Sequence, residues 1–301
     1  MQLERRKLAD VRLLALAVVV LATAALARAE GDLFSPGAEG DGPSIDAAVS
    51  ADGRYVAFAS EATNLVPDDR NNLQDIFVHD RQTGETERVS VGPGGAEADG
   101  FSELPAISAD GRYVAFQSLA SPLVALDNNQ ESDIFVHDRQ TGQTERVSVS
   151  SGGAQATGPS WEAAMTPDGR YVAFTSTAEN LDGPDGNFGA DIFVHDRQTG
   201  ETQVVSVNSA EAQSLGDAQR PAISSDGRYV AFSSTASGLV ANDDNEVEDV
   251  FVRDRQAGVT TRVSLRDDGG EAALESFDPA ISADGRYVAF WSYDGSLASL
   301  P

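Results

Sequence analysis

The heptapeptide Asp-Gly-Arg-Tyr-Val-Ala-Phe occurs five times, beginning at Asp52, Asp110, Asp168, Asp226 and Asp284, each copy 58 residues after the last. A second landmark keeps the same period. Asp-Ile-Phe-Val-His-Asp-Arg-Gln begins at Asp75, Asp133 and Asp191, and returns as Asp-Val-Phe-Val-Arg-Asp-Arg-Gln at Asp249. A fixed period of this size restricts the chain to blades or solenoid units, which bury their apolar faces against neighbouring copies. Four copies are complete. Only 17 residues follow Asp284, whereas the third strand should begin 23 residues after that aspartate, so the fifth copy is expected to lack it.

Within each copy the apolar runs are short and rich in β-branched and aromatic residues, as in residues 54–60, 75–79 and 86–91. They read as strands. Asp52-Gly53 and Thr83-Gly84 separate them, and glycine supplies the positive φ that tight hairpins require. A further run before each Asp-Gly, such as Ala106-Ile107-Ser108, brings the count to four consecutive antiparallel strands per unit. Such units repeated around an axis make an all-β propeller, here four complete 58-residue blades and a partial fifth across residues 44–301. Inner strands are expected near 46–50, 104–108, 162–166, 220–224 and 278–282. Tyr-Val-Ala-Phe is apolar at consecutive positions, which fits a strand buried on both faces between blades.

Ile-Ser-Ala-Asp-Gly-Arg-Tyr-Val-Ala-Phe followed by Asp-Ile-Phe-Val-His-Asp-Arg-Gln-Thr-Gly resembles the TolB-type propeller repeat, and the resemblance covers nearly all of residues 44–301. It implies the fold and says little of activity, because that family spans protein-interaction scaffolds and the propeller domains of larger hydrolases. TolB proper also carries an N-terminal domain, for which residues 30–43 leave no room.

Arg5, Arg6, Lys7 and Arg12 precede an apolar run from Leu13 to Ala27 that ends in Ala27-Arg28-Ala29, the pattern of a secretory signal over residues 1–29. The run is shorter than the roughly 20 residues a helical span needs. Export to the periplasm or the cell exterior follows, with no stable membrane insertion after cleavage. Residues 30–43 form a short leading segment, in which Leu33-Phe34-Ser35-Pro36-Gly37 resembles Ser90-Val91-Gly92-Pro93-Gly94 and is a candidate closing strand for the last blade. Its alternative is an open arc that closes by association between chains through the incomplete last blade.

The chain has no cysteine and a net charge of −27, which becomes −30 once residues 1–29, with two acids and five bases, are removed. Nucleic acid and anionic membranes would repel it. Lys7 is the only lysine, so the mature chain has no lysine-dependent phosphate loop or Schiff base. No G-x-S-x-G or H-E-x-x-H signature is present, and no enzymatic activity is expected. His79, His137 and His195 occupy one position on three different blades, too dispersed to ligate one metal. No cofactor is expected, although loops such as Asp68-Asp69-Arg70-Asn71-Asn72, Asp127-Asn128-Asn129 and Asn242-Asp243-Asp244-Asn245 offer oxygens that bind calcium or simply build turns. The repeated Arg54 and Asp80 positions read as contacts that each copy needs identically.

The copies diverge where a partner would need them to. Two and three positions before the alanines Ala48, Ala106, Ala164, Ala222 and Ala280 stand Ile45-Asp46, Glu103-Leu104, Trp161-Glu162, Gln219-Arg220 and Phe277-Asp278. The alanines are expected to crowd the axis and these varied residues to ring the channel mouth. Glu103, Trp161, Glu162, Gln219, Arg220, Phe277 and Asp278 are the candidate contacts, since aromatic and arginine anchors dominate interface energies. The combined reading is an exported scaffold that binds a protein partner in the cell envelope or outside the cell. A carbohydrate- or calcium-dependent ligand-binding module is the alternative, and a truncated propeller domain of a hydrolase the outlying one.

Overall fold

A computed structural model describes residues 39–183 and 186–297. The expected secretory signal of residues 1–29 and the candidate closing strand of residues 33–37 lie outside them. The chain is all-β. Blade 1 consists of β1 (Ser44–Val49), β2 (Tyr55–Ser60), β3 (Asp75–Asp80) and β4 (Glu85–Arg88). Blade 2 follows with β5 (Ser102–Ile107), β6 (Tyr113–Ser118), β7 (Asp133–Asp138) and β8 (Gln143–Arg146). Blade 3 contains β9 (Ser160–Met165), β10 (Tyr171–Ser176), β11 (Asp191–Asp196) and β12 (Glu201–Val204). Blade 4 contains β13 (Ala218–Ile223), β14 (Tyr229–Ser234), β15 (Asp249–Asp254) and β16 (Val259–Arg262). Blade 5 has two strands among the described residues, β17 (Ser276–Ile281) and β18 (Val288–Ser292). Within each blade the strands pair antiparallel in chain order. No helix among the described residues is long and apolar enough to cross a membrane.

The inner strands start two residues earlier than 46–50 and its equivalents, because paired serine hydroxyls clasp their outer ends. Ser44 Oγ bonds Ser60 Oγ at 2.9 Å, and Ser102–Ser118, Ser160–Ser176 and Ser276–Ser292 repeat the bond. They also stop one residue sooner, since Ser50 already belongs to the turn. Its hydroxyl donates to Asp52 Oδ1 at 2.7 Å, and the same oxygen accepts from Arg54 N at 3.0 Å.

The core lies between blades, where faces of unequal size meet. On one face of β2 and β3 stand Val56, Phe58 and Phe77, on the other Ala57, Ala59, Ile76 and Val78, all buried. The small face of blade 1 receives Val114, Phe116 and Phe135 of blade 2, and the same arrangement joins blades 2 to 3 and 3 to 4. Each of the four complete blades pairs its two phenylalanines with ring centres 5.9–6.0 Å apart. A fully buried phenylalanine contributes about 1.5–3 kcal/mol, so this repeated contact is the principal source of cohesion.

A second device locks neighbouring blades in register. The Tyr55 ring lies beneath the Asp-Gly turn of blade 2, so close that a Cβ on Gly111 would stand 2.1 Å from it, and Tyr113, Tyr171 and Tyr229 repeat this under Gly169, Gly227 and Gly285. Arg139 covers the same Tyr55 ring at 4.3 Å, and Arg197 covers Tyr113 at 4.3 Å. Arg54 grips Asp80 through two bonds of 2.9 and 2.6 Å, a fork that recurs in Arg112–Asp138, Arg170–Asp196 and Arg228–Asp254.

Among the described residues the series does not close on itself. β17 does not pack against β1 as β5, β9, β13 and β17 pack against their predecessors. Tyr287 is 67% exposed, and no tyrosine ring lies under Gly53.

Two glycines separate backbone strain from blade contact. Gly169 and Gly84 both have positive φ, at 72° and 76°, yet only Gly169 touches a ring, with a Cβ there falling 2.3 Å from Tyr113. Gly84→Ala is expected to cost about 1–2 kcal/mol and Gly169→Ala at least about 1 kcal/mol more. Urea unfolding of both variants measures the difference, and equal losses would show that the tyrosine lock carries no stability.

Candidate functional site

Each inner strand carries a bulge at the same place. Register breaks between Ile45 and Ala48 in blade 1, and at the matching residues in the other four. The residue after the break takes a left-handed backbone: Asp46 (φ 55°), Leu104 (52°), Glu162 (57°), Arg220 (57°) and Asp278 (51°). The following position is Ala47, Pro105, Ala163, Pro221 or Pro279. Proline is tolerated there because the bulge leaves a gap in the ladder where no N–H is needed. These five residue pairs line the opening of a central channel of about 450 Å³. A non-glycine residue in this conformation costs of order 1 kcal/mol, and such strain concentrates at sites of function.

Two of the bulge amides are held by the preceding blade. Glu162 N donates to Gln117 Oε1 at 3.0 Å, and Arg220 N donates to Glu162 Oε2 at 2.8 Å. The same carboxylate accepts from Thr175 Oγ1 at 3.3 Å. Arg220 then reaches Asp278 Oδ1 at 3.0 Å and Glu248 Oε1 at 3.2 Å, and its guanidinium lies 5.3 Å from the centre of the Phe277 ring. Phe277 in turn meets Tyr293 at 5.4 Å. A polar chain thus runs along the mouth from blade 2 to blade 5.

Of the residues named from sequence, Glu162, Arg220 and Asp278 come together on the channel wall. Glu103, Trp161, Gln219 and Phe277 do not line it. They precede the bulge and pair across to Gln117, Thr175, Ser233 and Trp291. Glu103 accepts from Gln117 Nε2 at 2.9 Å, and Phe277 supports Arg220. The alanines are displaced from the axis as well, Ala48 lying opposite Ala57, because the bulge turns positions 46 and 47 inward instead. Asp46 and Leu104 complete the wall and share the offset of Glu162, which alignment of the repeats reveals. Glu248 and Tyr293 carried no signal, since they approach from other strands and loops.

The histidines answer a structural need. His137 Nδ1 lies 2.9 Å from Thr144 Oγ1, which donates its proton to Val91 O of the preceding blade at 2.6 Å. The hydroxyl must therefore accept from the ring, which fixes the Nδ1–H tautomer. His195 repeats this with Thr202 and Val149. Burial lowers the pKa of His79, His137 and His195, and that of His137 falls to about 4. Arginine bonds hold Asp138, Asp196 and Asp254 at about 2 and Asp80 well below the usual carboxylate range. In the acidic loops of blades 1, 2 and 4 an arginine stands among the carboxylates, as Arg88 does 3.2 Å from Asp69, 3.4 Å from Asp75 and 2.9 Å from Glu97.

No protein-family model and no curated protein matches the sequence. Solved structures do. The putative TolB from Agrobacterium tumefaciens is 18% identical, with a TM-score of 0.52 over 86% of this chain and 73% of that one. The fold is a TolB-like β-propeller. TolB from Acinetobacter baumannii is 20% identical with a TM-score of 0.49, over 85% of this chain, which spans 53% of that TolB's length. An oligogalacturonate lyase in complex with manganese is 15% identical, with a TM-score of 0.51 over 86% of this chain and 64% of the lyase. At these identities the likeness shows the TolB-like fold alone. The lyase corrects the expectation of a chain without enzymatic activity. The same architecture carries a lyase, a class of reaction on which the absence of hydrolase and thiol signatures has no bearing.

The charge states fix the response to acid. A histidine held neutral by the fold but protonated at its ordinary pKa of about 6.5 when unfolded makes stability fall as pH drops from about 6.5 towards the folded value of about 4 at His137. The arginine-bound aspartates act lower, their contribution being lost as pH falls from about 4 to about 2. Burial raises the pKa of Asp75 and Asp133, whose penalty is relieved on acidification and opposes both. His137→Asn, which can still donate to Thr144, is expected to lose less stability between pH 6.5 and 4 than the parent chain. Urea unfolding across that range measures it, and equal slopes would mean that His137 is charged in the fold.

Proposed function

We propose that this chain is a propeller scaffold that binds a protein partner across the mouth of its central channel, acting outside the cytoplasm. The observation that carries the reading is that five equivalent bulges, in one strained backbone conformation, present Asp46, Leu104, Glu162, Arg220 and Asp278. A purely structural purpose would be served by one residue type in every copy, as it is at Ala48 and its equivalents. An asymmetric ligand requires differences. The TolB-like fold, with its wide rigid rim, supports a protein as that ligand. Export is supported by the basic and apolar N-terminal run of residues 5–29.

The mouth defines the partner's chemistry. Three carboxylates surround a single guanidinium already held by Asp278 and Glu248, and Leu104 stands 37% exposed among them. A segment offering a basic side chain beside an apolar one matches this surface, the base taking Asp46 or Glu162 and the apolar group covering Leu104.

A photo-crosslinking residue at position 104 of the exported chain, in its native cell, is expected to capture a protein identified by mass spectrometry. With that protein purified, the double variant Leu104→Asp, Arg220→Ala should bind at least about tenfold more weakly. Retained affinity with the fold intact would remove the site from the channel, and capture of glycan alone would favour the carbohydrate reading.

A further inference from the structure

Blades 2 and 3 have a neighbour on each side, since β5 packs against β1, β9 against β5 and β13 against β9. Apolar surface that they leave in water therefore owes nothing to the ends of the chain. Apart from Leu104 on the channel wall, their large exposed apolar residues are Phe101, Leu119, Leu126, Phe188 and Leu215, from 51% to 84% exposed. All five stand at the end of the disc where the inner strands begin, in the β6–β7 and β10–β11 loops and the segments leading into β5 and β13. The opposite end consists of hairpins and exposes no large apolar residue in blades 2 and 3 among the described residues. There the turns are tied to one another instead, Ala51 N donating to Ala109 O at 3.0 Å and Ala109 N to Pro167 O at 2.8 Å.

The apolar residues form two pairs. On blade 2, Leu119 N donates to Phe101 O at 3.0 Å just beyond the strand ends, which sets the two residues opposite one another. The same bond recurs in blades 1, 3 and 4, but there it joins Pro43 to Glu61, Pro159 to Thr177 and Asp217 to Thr235. On blade 3, Asn187 Nδ2 donates to Ser214 O and Ala190 N to Asp217 Oδ1, both at 3.0 Å, so that Phe188 and Leu215 stand in segments running side by side. Their counterparts are Asn72 and Asp99 in blade 1, Gln130 and Thr157 in blade 2, and Glu246 and Ala273 in blade 4. Phe188 (φ 57°) and Leu126 (φ 63°) also hold a left-handed backbone, which disfavours a bulky residue. Neither the backbone nor the core accounts for apolar side chains at these places.

Charge decides what can cover them. Asp99, Glu179, Asp182 and Asp217 are exposed on the same loops. The only bases in residues 99–131 and 177–219 are Arg112 and Arg197, and both lie in hairpins at the other end of the disc. A second copy would set acids against acids. Residues 30–38 of this chain, with Glu30 and Asp32 and no base, would do the same. We propose that the loop end of blades 2 and 3 is a docking surface for another protein, whose contacting segment carries apolar side chains flanked by lysine or arginine. Its apolar groups cover Phe101 with Leu119 and Phe188 with Leu215, and its bases face the exposed carboxylates around them. The surface is additional to the channel mouth, and it fixes the side of the disc from which a protein approaches.

The probe is a phage-displayed library of random dodecapeptides, panned on the exported chain. Enriched peptides are expected to place lysine or arginine beside apolar residues and, once synthesised, to bind more weakly as salt is raised. Two paired variants install residues that other blades already hold at the same places, which keeps the fold: Phe101→Pro with Leu119→Thr, as in Pro159 and Thr177, and Phe188→Gln with Leu215→Thr, as in Gln130 and Thr157. Each enriched peptide should lose at least about tenfold in affinity with one pair or the other, measured by fluorescence anisotropy. Enrichment of no peptide, or of acidic ones, overturns the proposal, as does affinity that responds to neither pair. Peptides that respond only to Leu104→Asp with Arg220→Ala overturn it while leaving the channel-mouth reading in place. Two further results would overturn it by naming a different occupant: a dimer in light scattering that Phe188→Gln with Leu215→Thr dissociates, or peptide binding that appears only in a chain carrying Leu33→Asp with Phe34→Asp.

Discussion

The contact on which everything else depends is the meeting of a large apolar face with a small one. Val56, Phe58 and Phe77 on one side of a blade, and Ala57, Ala59 and Ile76 on the other, make each blade a wedge that fits only its neighbour. Neither face would be stable in water. A blade therefore cannot fold alone, and the repeat unit is an interface as much as a sheet. The tyrosine beneath the next blade's Asp-Gly turn fixes the spacing, because only glycine leaves room for the ring. The same logic explains the end of the described residues, where Trp291 stands at the position of Ala59 and is 64% exposed.

Fixing the outer two-thirds of every blade by this contact leaves the inner strand free to be irregular. The bulges at Asp46, Leu104, Glu162, Arg220 and Asp278 break the ladder, yet the amides they release at Glu162 and Arg220 are taken up by Gln117 and Glu162 of the preceding blade. Strain is tolerated because the surrounding packing over-determines it. The channel wall is thus set by backbone geometry common to all blades, and its chemistry by side chains that vary from blade to blade.

Most of the fold was legible because period and burial are both written in the sequence. The 58-residue spacing gave the blade count, and the unbroken Tyr-Val-Ala-Phe run signalled burial on both faces. The site was legible only in part. Repeat alignment located the variable positions, but the choice among them followed side-chain type, which favoured Trp161 and Phe277 over Asp46 and Leu104. Strict two-residue alternation cannot reveal a bulge, and a bulge decides which of two adjacent residues faces the channel. Pro105, Pro221 and Pro279, within otherwise strand-like runs, were the available trace of it. Activity was not legible at all, since the architecture that the repeat reveals is one that a lyase also has.

The interchange of histidine and arginine on the third strands shows how repeated polar residues should be weighed. Thr86, Thr144, Thr202 and Thr260 recur at one position, and in blades 2 to 4 the hydroxyl donates to a carbonyl of the preceding blade. With its proton spent, the hydroxyl needs a donor, which His137 and His195 supply through Nδ1–H. Arg253 supplies it in blade 4 through a guanidinium N–H at 3.2 Å. Arginine can only donate, so its presence there confirms the direction of the bond in the histidine blades. What the position conserves is a donor to the blade interface, and neither metal binding nor proton transfer is needed to account for it. With the repeated polar residues assigned in this way to holding blades together, what remains to be explained is the variation between copies, and five of the varied positions, Asp46, Leu104, Glu162, Arg220 and Asp278, line the channel mouth.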